Sequence, residues 1–409
     1  MSILAINAGS SSLKFGLFGD DACERLVTGE IDWANGNREQ AQLLVRPRNG
    51  TTVRSRLPVP DDFTAAACAI QAALGASKPG SNGATPIRAV GHRVVHGGAE
   101  FHSSVQIDER VKGAIARLSD LAPLHNPPAL KAIEAAQSAL PGKPQVAVFD
   151  TAFYSHLPPK EYLYGVPYNW YQDWGIRRFG FHGISHAYCV SRAAELLKRD
   201  PAQLRIISCH LGGGCSAIAV RGGVAVATTG GFSPLDGLMM GTRCGAIDPG
   251  ILLHLQRQQG MTHKELARAL NYSAGLLGIS GVSADLAEIE MAAAQGNERA
   301  RLAFDMFALH VRGAIASLAS TLGGVDVLTF ADRIGEGSPA LRAAACEGLR
   351  FMGVELDRER NVAARPDTDI SAAGSAVRVI VTHTEEELVV ARETLHVLRN
   401  AKAAGTVIA

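Results

Sequence analysis

The sequence predicts an α/β protein built as two related halves, with one cleft expected between the two domains. Three observations carry this. The apolar runs Ile3–Ile6 and Leu13–Phe18 flank a turn of Asn7, Ala8, Gly9, Ser10, Ser11 and Ser12, and small polar residues between strand-length runs mark a tight hairpin. The layout returns in Arg205–Val220, where His210-Leu-Gly-Gly-Gly-Cys-Ser-Ala-Ile218 lies opposite Asn7-Ala-Gly-Ser-Ser-Ser-Leu-Lys-Phe15. Self-similarity at so long a spacing indicates a duplicated domain, since solenoid repeats run to roughly 20–50 residues. Thirdly, the continuous apolar runs Gln145–Phe149 and Val325–Phe330 read as buried strands, the kind that parallel sheets contain.

Composition excludes several classes. Apolar content of 47% supplies cores for two or three domains. Forty basic against 39 acidic residues leave a nearly neutral chain, so no nucleic acid and no anionic membrane is expected as partner. No apolar run approaches the roughly 18 residues of a membrane span. The N-terminus enters a strand pattern at once, so no signal peptide is expected. Seven scattered cysteines without a CxxC pair read as reduced core residues of a cytoplasmic protein.

Taken in order, residues 24–60 carry further short strands, Gln42–Val45 and Thr51–Leu57 among them, before an Ala-rich helix around Phe63–Leu74 and a Gly/Pro/Ser loop over Gly75–Pro86. Ile87–Gly98 is a strand that breaks up among glycines and carries His92, Arg93 and His96. An arginine in an apolar strand needs a partner, because an unpaired buried charge is very costly; a structural ion pair would serve as well as a ligand site. Asn126 reads as an N-cap before Pro127 and Pro128, setting His125 just ahead of a helix N-terminus, where anions bind. Asp150 stands at the end of a strand, where α/β sheets gather ligands, although a turn cap would look the same.

His182 lies in a glycine-flexed loop, with Ser185 as the expected N-cap of a helix to about Lys198. Gly230–Gly250 is long, glycine-rich and nearly uncharged, with Arg243 isolated inside it; such a stretch within a domain is usually functional. Thr262 and Glu265 form a capping box. Helices are expected over Ser283–Ala294 and Asn297–Leu322, the second stopped by Gly323 and Gly324. Ala331–Gly337 reads as a loop, and Ser338-Pro339 as the cap of the next helix. After the strand Ala376–Val381, Thr384 opens the final helix with Glu387 in the capping-box position. That leaves Glu386 as a ligand or a merely solvated carboxylate.

What the residues can do follows from what is missing. There is no GxxxxGK[ST] loop, GxGxxG fingerprint, Cys/His cluster or GxSxG elbow. Two Gly-rich hairpins remain, together with isolated arginines, loop histidines and oxygen ligands. The N-terminal turn can cradle an anion with its N–H groups and hydroxyls, with Lys14 as a point charge, although an ordinary surface hairpin has the same composition. The set suits Mg²⁺-assisted phosphoryl transfer, where catalysis is mostly positioning and charge neutralisation.

Six stretches, Asn7–Lys14, Gly91–Gly98, Phe149–Phe153, Arg177–Gly183, Pro234–Arg243 and Glu386–Leu388, resemble in order the motifs of the acetate kinase family, part of the acetate and sugar kinase, Hsp70 and actin superfamily. The resemblance spans nearly the whole chain. It implies a duplicated actin-like (ribonuclease H-like) fold. Residues 1–151, completed by a C-terminal helix 386–409, would form one domain, and residues 152–385 the other, with the donor pocket. It also implies reversible Mg²⁺-dependent phosphoryl transfer from ATP to acetate, giving acetyl phosphate and ADP, in a cytoplasmic homodimer. Mn²⁺ is an alternative ion and propionate an alternative acceptor.

By motif, Arg93 and Arg243 would hold the carboxylate and the migrating phosphoryl group, and His182, assisted by His125, would stabilise that group's oxygens. Asn7, Asp150 and Glu386 would organise the metal. Val95, Leu124, Phe181 and Pro234 would form a small methyl pocket, too apolar for a sugar. Ser10, Ser12, Lys14, His210, Gly212, Gly213, Gly214, Asp285, Arg333 and Gly335 would bind the donor's phosphates or the donor. Asp150 is cast as a metal and orienting group, since a carboxylate substrate with a pKa near 4 is already an anionic nucleophile.

Three departures from the family pattern cluster on the donor side: Gly213 replaces an asparagine, Ala287 an arginine, and Asp332-Arg333 a pair of small residues. They leave open a donor without a nucleoside, such as pyrophosphate, with Arg333 on the extra charge. A non-catalytic nucleotide or phosphate sensor is a further alternative. Retention of the full transfer set argues against it.

Overall fold

Both hairpins form, and each seeds a mixed sheet. The computed structural model describes residues 2–9, 11–33, 36–76 and 86–403; Ser10, most of the Gly75–Pro86 loop and the end of the C-terminal segment lie outside the described residues. Ser2–Ala8 (β1), Ser12–Phe18 (β2), Arg25–Asp32 (β3), Ala41–Pro47 (β4) and Val53–Leu57 (β5) form an antiparallel meander. On its other side β1 runs parallel to Ile87–Val94 (β6). Val105–Gln106 (β7) pairs antiparallel with Gln145–Phe149 (β8), which lies parallel to β6. The described order is β5-β4-β3-β2-β1-β6-β8-β7.

The second sheet repeats this plan. Arg205–Leu211 (β9), Cys215–Arg221 (β10) and Val224–Thr228 (β11) form the meander. Val327–Ala331 (β12) runs parallel to β9, and Thr368–Asp369 (β13) edges Arg378–Thr382 (β14), itself parallel to β12. The order β11-β10-β9-β12-β14-β13 matches β3-β2-β1-β6-β8-β7 strand for strand and direction for direction. The chain divides into two compact units, Met1–Ser155 with Glu385–Ala409, and His156–Thr384.

The echo needs one adjustment. Asn7 pairs across its hairpin with Lys14, whereas His210 pairs with Ser216. The first turn is therefore one residue longer, and Lys14 corresponds to Ser216 rather than to Ala217.

In the first unit, helices Asp62–Ala76 and Asn126–Ala139 pack on the sheet through Ala66, Ala69, Ala132 and Ala136. Helix Glu386–Ala403 crosses β1, β6 and β8. Gly91 permits that crossing, since a β-carbon there would stand 2.8 Å from Val390 Cγ1. In the second unit the central helix is Glu298–Leu322. Among the described residues it alone is long and apolar enough, by length and composition, to cross a membrane. Its Ala300, Ala303, Phe307, Val311, Ile315, Leu318 and Leu322 all sit in the unit's core, at the 3–4 residue spacing of one helix face.

Four local expectations change. Asn126 is the first helical residue and His125 the N-cap. The Asn126 side chain instead clamps the loop after β6, accepting from His96 N (3.1 Å) and donating to His96 O (3.0 Å). Similarly, His182 is the N-cap of helix Gly183–Leu197, which frees Ser185 for another partner. Asp285, not Ser283, precedes the helix Leu286–Ala294. Asp332–Gly337 is a short helix rather than a loop.

Candidate active site

Chain ends of parallel strands gather polar groups in each unit, as α/β sheets do. In the first unit β1 contributes Asn7, β6 contributes Arg93, and Asp150 follows β8 directly. Arg93 is the hub. Its Nη2 donates to Asp150 Oδ2 at 2.8 Å, and its Nη1 to Glu386 Oε2 at 2.8 Å and Asn7 Oδ1 at 3.2 Å. Burial works against the Arg93 charge, but Asp150 and Glu386 outweigh it and hold the proton above the usual arginine range. Asp150 is fully buried, so this pairing answers the demand a buried charge makes.

Asn7 Nδ2 donates to Glu386 Oε2 at 2.7 Å and to Glu387 Oε1 at 3.2 Å. The side chain expected to cap the helix is thus turned onto the cluster. Burial, then the neighbouring Glu386, pushes the Glu387 carboxyl up, and Lys14 partly offsets this. The Ser12 carbonyl accepts from Gly9 N at 2.8 Å and closes the turn. Val95 is buried after β6, while Leu124 and His125 are half-buried ahead of Asn126.

In the second unit the Gly212–Gly214 turn is the centre. A β-carbon at Gly214 would lie 2.7 Å from Arg243 Nη2 and 3.0 Å from His182 Nε2, while at Gly212 it would overlap the Asp332 carboxylate. Arg243 is fixed by donating from Nη1 to Pro234 O at 2.6 Å, and burial lowers its hold on its proton. It remains charged nonetheless. His182 sits at φ 56°, a left-handed conformation that costs a non-glycine residue of order 1 kcal/mol. Its Nδ1 meets Ser216 Oγ at 2.8 Å, and its ring stacks on His210 at 4.2 Å. His210 Nδ1 meets Ser185 Oγ at 2.8 Å, and its Nε2 lies 3.4 Å from Asp332 Oδ2.

Phe181 is buried beside this cluster and Pro234 half-buried. Arg333 Nη1 donates to Asp285 Oδ2 at 3.0 Å, so its charge is already met by a carboxylate. Gly335 is enclosed in its helix, its carbonyl accepting from Arg342 Nη1 at 2.8 Å.

The Acetokinase family profile matches residues 2–392. The acetate kinase of Trichormus variabilis is 47% identical over 406 residues, covering 97% of this chain and 100% of that one. The chain belongs to the acetokinase family. Acetokinases are phosphotransferases with a carboxyl acceptor and need a divalent metal. Among solved structures, Porphyromonas gingivalis acetate kinase superposes with TM-score 0.85 at 38% identity, covering 97% of this chain and 99% of that one. A Francisella tularensis propionate kinase gives 0.88 at 34% identity, with the same coverage. These similarities do not favour a pyrophosphate donor or a non-catalytic sensor.

Whether the residues suit the metal an acetokinase needs is a question for the first unit. Among the described residues no three His, Cys, Asp or Glu side chains close into a ready cage. The donors are instead hard oxygens, those of Asp150, Glu386 and Glu387 with the Asn7 amide, and burial, then the neighbouring Glu386, raises the proton affinity of Glu387. That fits an ion such as Mg²⁺, which uses one or two carboxylates and completes its shell with water and substrate phosphates.

Several residues of this acetokinase escaped the sequence reading. Glu387 was absorbed by a generic capping pattern. Ser185 reads as an N-cap but meets His210 Nδ1 instead, and Ser208, His186 and Ser216 carry no signal beyond being polar in apolar surroundings. Arg342 is fully buried in an alanine-rich helix and ties down Gly335 and Asn361.

Proposed function

We propose that this acetokinase transfers the γ-phosphoryl group of ATP to acetate, reversibly, with Mg²⁺. One observation carries the reading: a cation and two imidazoles converge on a glycine turn, Arg243 and His182 both reaching the point where a Gly214 side chain would stand. Acetate needs no base, being anionic well above a carboxylic pKa near 4. The barrier lies in bringing it to an anionic donor. The new bond forms between a carboxylate oxygen and the γ-phosphorus as the bridging bond to the β-phosphate breaks. Arg243 and His182 meet the charge on the transferring group, where preorganised donors act most strongly.

Arg93 offers its guanidinium to the acetate carboxylate while Asp150 and Glu386 fix its plane. Val95, Leu124, Phe181 and Pro234 enclose the methyl group, His125 assists at the phosphoryl oxygens, and the first hairpin, the Gly212–Gly214 turn and His210 hold donor phosphates. Asn7, Asp150 and Glu386 would hold the metal, which when bound neutralises the polyphosphate and orients it. Propionate should be accepted too, since one methylene in an apolar pocket discriminates by only about 1–3 kcal/mol.

The seven cysteines are all free thiols, which supports a reducing, cytoplasmic setting. A homodimer is proposed as the assembly, and exposed Ile251, Leu253 and Tyr272 offer apolar surface for it. Light scattering of the purified chain tests it. For the activity, hydroxamate trapping of acyl phosphate, run with ATP, GTP and pyrophosphate in parallel, should give product with ATP and lose it in Arg243→Ala. Product from pyrophosphate alone overturns the donor, and near-normal turnover in Arg243→Ala overturns the site.

A further inference from the structure

A hydrogen-bonded chain runs from the core of the second unit out to His182. Ser208 Oγ meets His186 Nδ1 at 2.9 Å, His186 Nε2 meets Ser216 Oγ at 2.9 Å, and Ser216 Oγ meets His182 Nδ1 at 2.8 Å. Ser208, His186 and Ser216 are buried. Each hydroxyl has one proton and each neutral imidazole one N–H, so the chain has two self-consistent senses. In the outward sense Ser208 donates to His186, His186 to Ser216 and Ser216 to His182, and His182 presents Nε2–H. In the inward sense every bond reverses, and His182 presents a lone pair that would repel an anion.

Ser208 decides between them. Among the described residues its Oγ has no hydrogen-bond partner besides His186. Donating to His186 leaves only acceptor capacity unused. Accepting from His186 would strand a buried O–H, which loses its full hydration without return. An imidazolium at His186 would donate from both nitrogens and strand Ser208 again, and burial, then the nearby His210, hold His186 well below the usual histidine pKa. The Phe181 carbonyl, 3.5 Å from Ser216 Oγ, is too distant to take the serine proton in competition.

The neighbouring ring obeys the same logic. With Ser185 donating to His210 Nδ1, His210 Nε2–H faces Asp332. Two imidazoliums stacked at 4.2 Å beside Arg243 would repel each other and the guanidinium. A neutral His182 with an outward N–H avoids this.

We propose that His182 acts as a neutral Nε2–H donor to the transferring group, and that Ser208, His186 and Ser216 are positioning residues that fix this tautomer. The tautomer is assigned from the hydrogen-bond network; its catalytic consequence rests on the phosphoryl-transfer reading. A donor aimed beforehand needs no reorganisation when charge develops.

The test is two-bond ¹⁵N–¹H correlation on the full chain labelled with ¹⁵N-histidine, near pH 7.5. The His182 signals are identified by their loss in His182→Gln. The expected pattern is Nε2 protonated and Nδ1 bare. An imidazolium or an Nδ1–H ring at His182 overturns the proposal, and this readout requires no folded relay variant. Ser208→Ala removes only a buried hydroxyl; it should mix the His182 tautomers and lower kcat about tenfold, less than loss of a whole donor, with KM for acetate unchanged. An unaltered tautomer and kcat in Ser208→Ala overturn the relay. A wild-type chain with the expected tautomer but no acyl phosphate formation would support the proton assignment and refute the kinase reading.

Discussion

Adding one carbon at Gly214 should damage catalysis without unfolding the protein. A β-carbon there would lie 2.7 Å from Arg243 Nη2 and 3.0 Å from His182 Nε2, against ordinary contacts of 3.4 Å or more. Relief requires the guanidinium to retreat by about 0.7 Å and the imidazole by about 0.4 Å. Neither is loose: Arg243 Nη1 is held by Pro234 O at 2.6 Å and His182 Nδ1 by Ser216 Oγ at 2.8 Å. A misplacement approaching 1 Å costs up to about a hundredfold in rate. Gly214→Ala should therefore lower kcat/KM for acyl phosphate formation about 10–100-fold, or about 1–3 kcal/mol of activation free energy. The urea midpoint should hardly move. Gly213 is the internal comparison, since a β-carbon there meets nothing within 4 Å, and Gly213→Ala should cost at least about tenfold less. Wild-type turnover in a folded Gly214→Ala would refute the convergence of Arg243 and His182 on this point.

Three further outcomes can be measured. Arg93→Ala strips the cation from Asp150 and Glu386, both within 2.8 Å of it; kcat/KM for acetate should fall by about 10² or more, and a variant with normal acetate saturation would remove Arg93 from the site. Arg342→Met leaves the Gly335, Glu336 and Asn361 oxygens without their donor and should destabilise by about 3 kcal/mol in urea unfolding; a loss below about 1 kcal/mol would show that the cavity refills with water. His92 is fully buried against Gln145 Oε1 at 2.6 Å, and burial brings its pKa down to about 4. The unfolded chain takes this proton near pH 6.5 and the folded chain only near pH 4. Stability is therefore lost as pH falls through that window, by about 3 kcal/mol in all. Unfolding curves at pH 7.5 and 4.5 should show the fall in the wild type and a smaller one in His92→Gln; equal falls would mean that His92 does not contribute.

The architecture was legible because strands and turns leave patterns of their own. Apolar runs around Asn7–Ser12 and His210–Gly214 forced two hairpins, and their likeness forced a duplication that the sheet orders repeat. Arg93, Asp150 and Arg243 stood out for a related reason: a charge in an apolar stretch has to be explained. Partners were harder to read. Glu387 fits [ST]-x-x-[DE], the pattern that makes a true capping box at Thr262 and Glu265, and only the fold turns it toward Asn7. Asn126 had every attribute of an N-cap, yet the loop after β6 offered it three-dimensional partners that local rules cannot weigh. Ser208, His186 and Ser216 are unremarkable in sequence because a hydrogen-bond chain across β9, β10 and a helix has no fixed spacing.

Set in register, the two hairpins carry different electrostatics on the same backbone frame. The same pair of backbone positions holds Asn7 and Lys14 in the first unit and His210 and Ser216 in the second. Around the first pair stand Asp150, Glu386 and Glu387, whose burial demands a cation, and Arg93 supplies only part of it. Around the second pair stand Arg243, His182 and a glycine turn that admits them closely, a cationic and donor-rich setting suited to an anion. Phosphoryl transfer needs both environments, a cation site to neutralise the polyphosphate and fixed donors for the oxygens of the group in flight. Once the domain was duplicated, the paired positions were free to diverge. On the proposed assignment, a carboxylate cluster in both units would repel the substrate, and donors in both would leave the metal unheld.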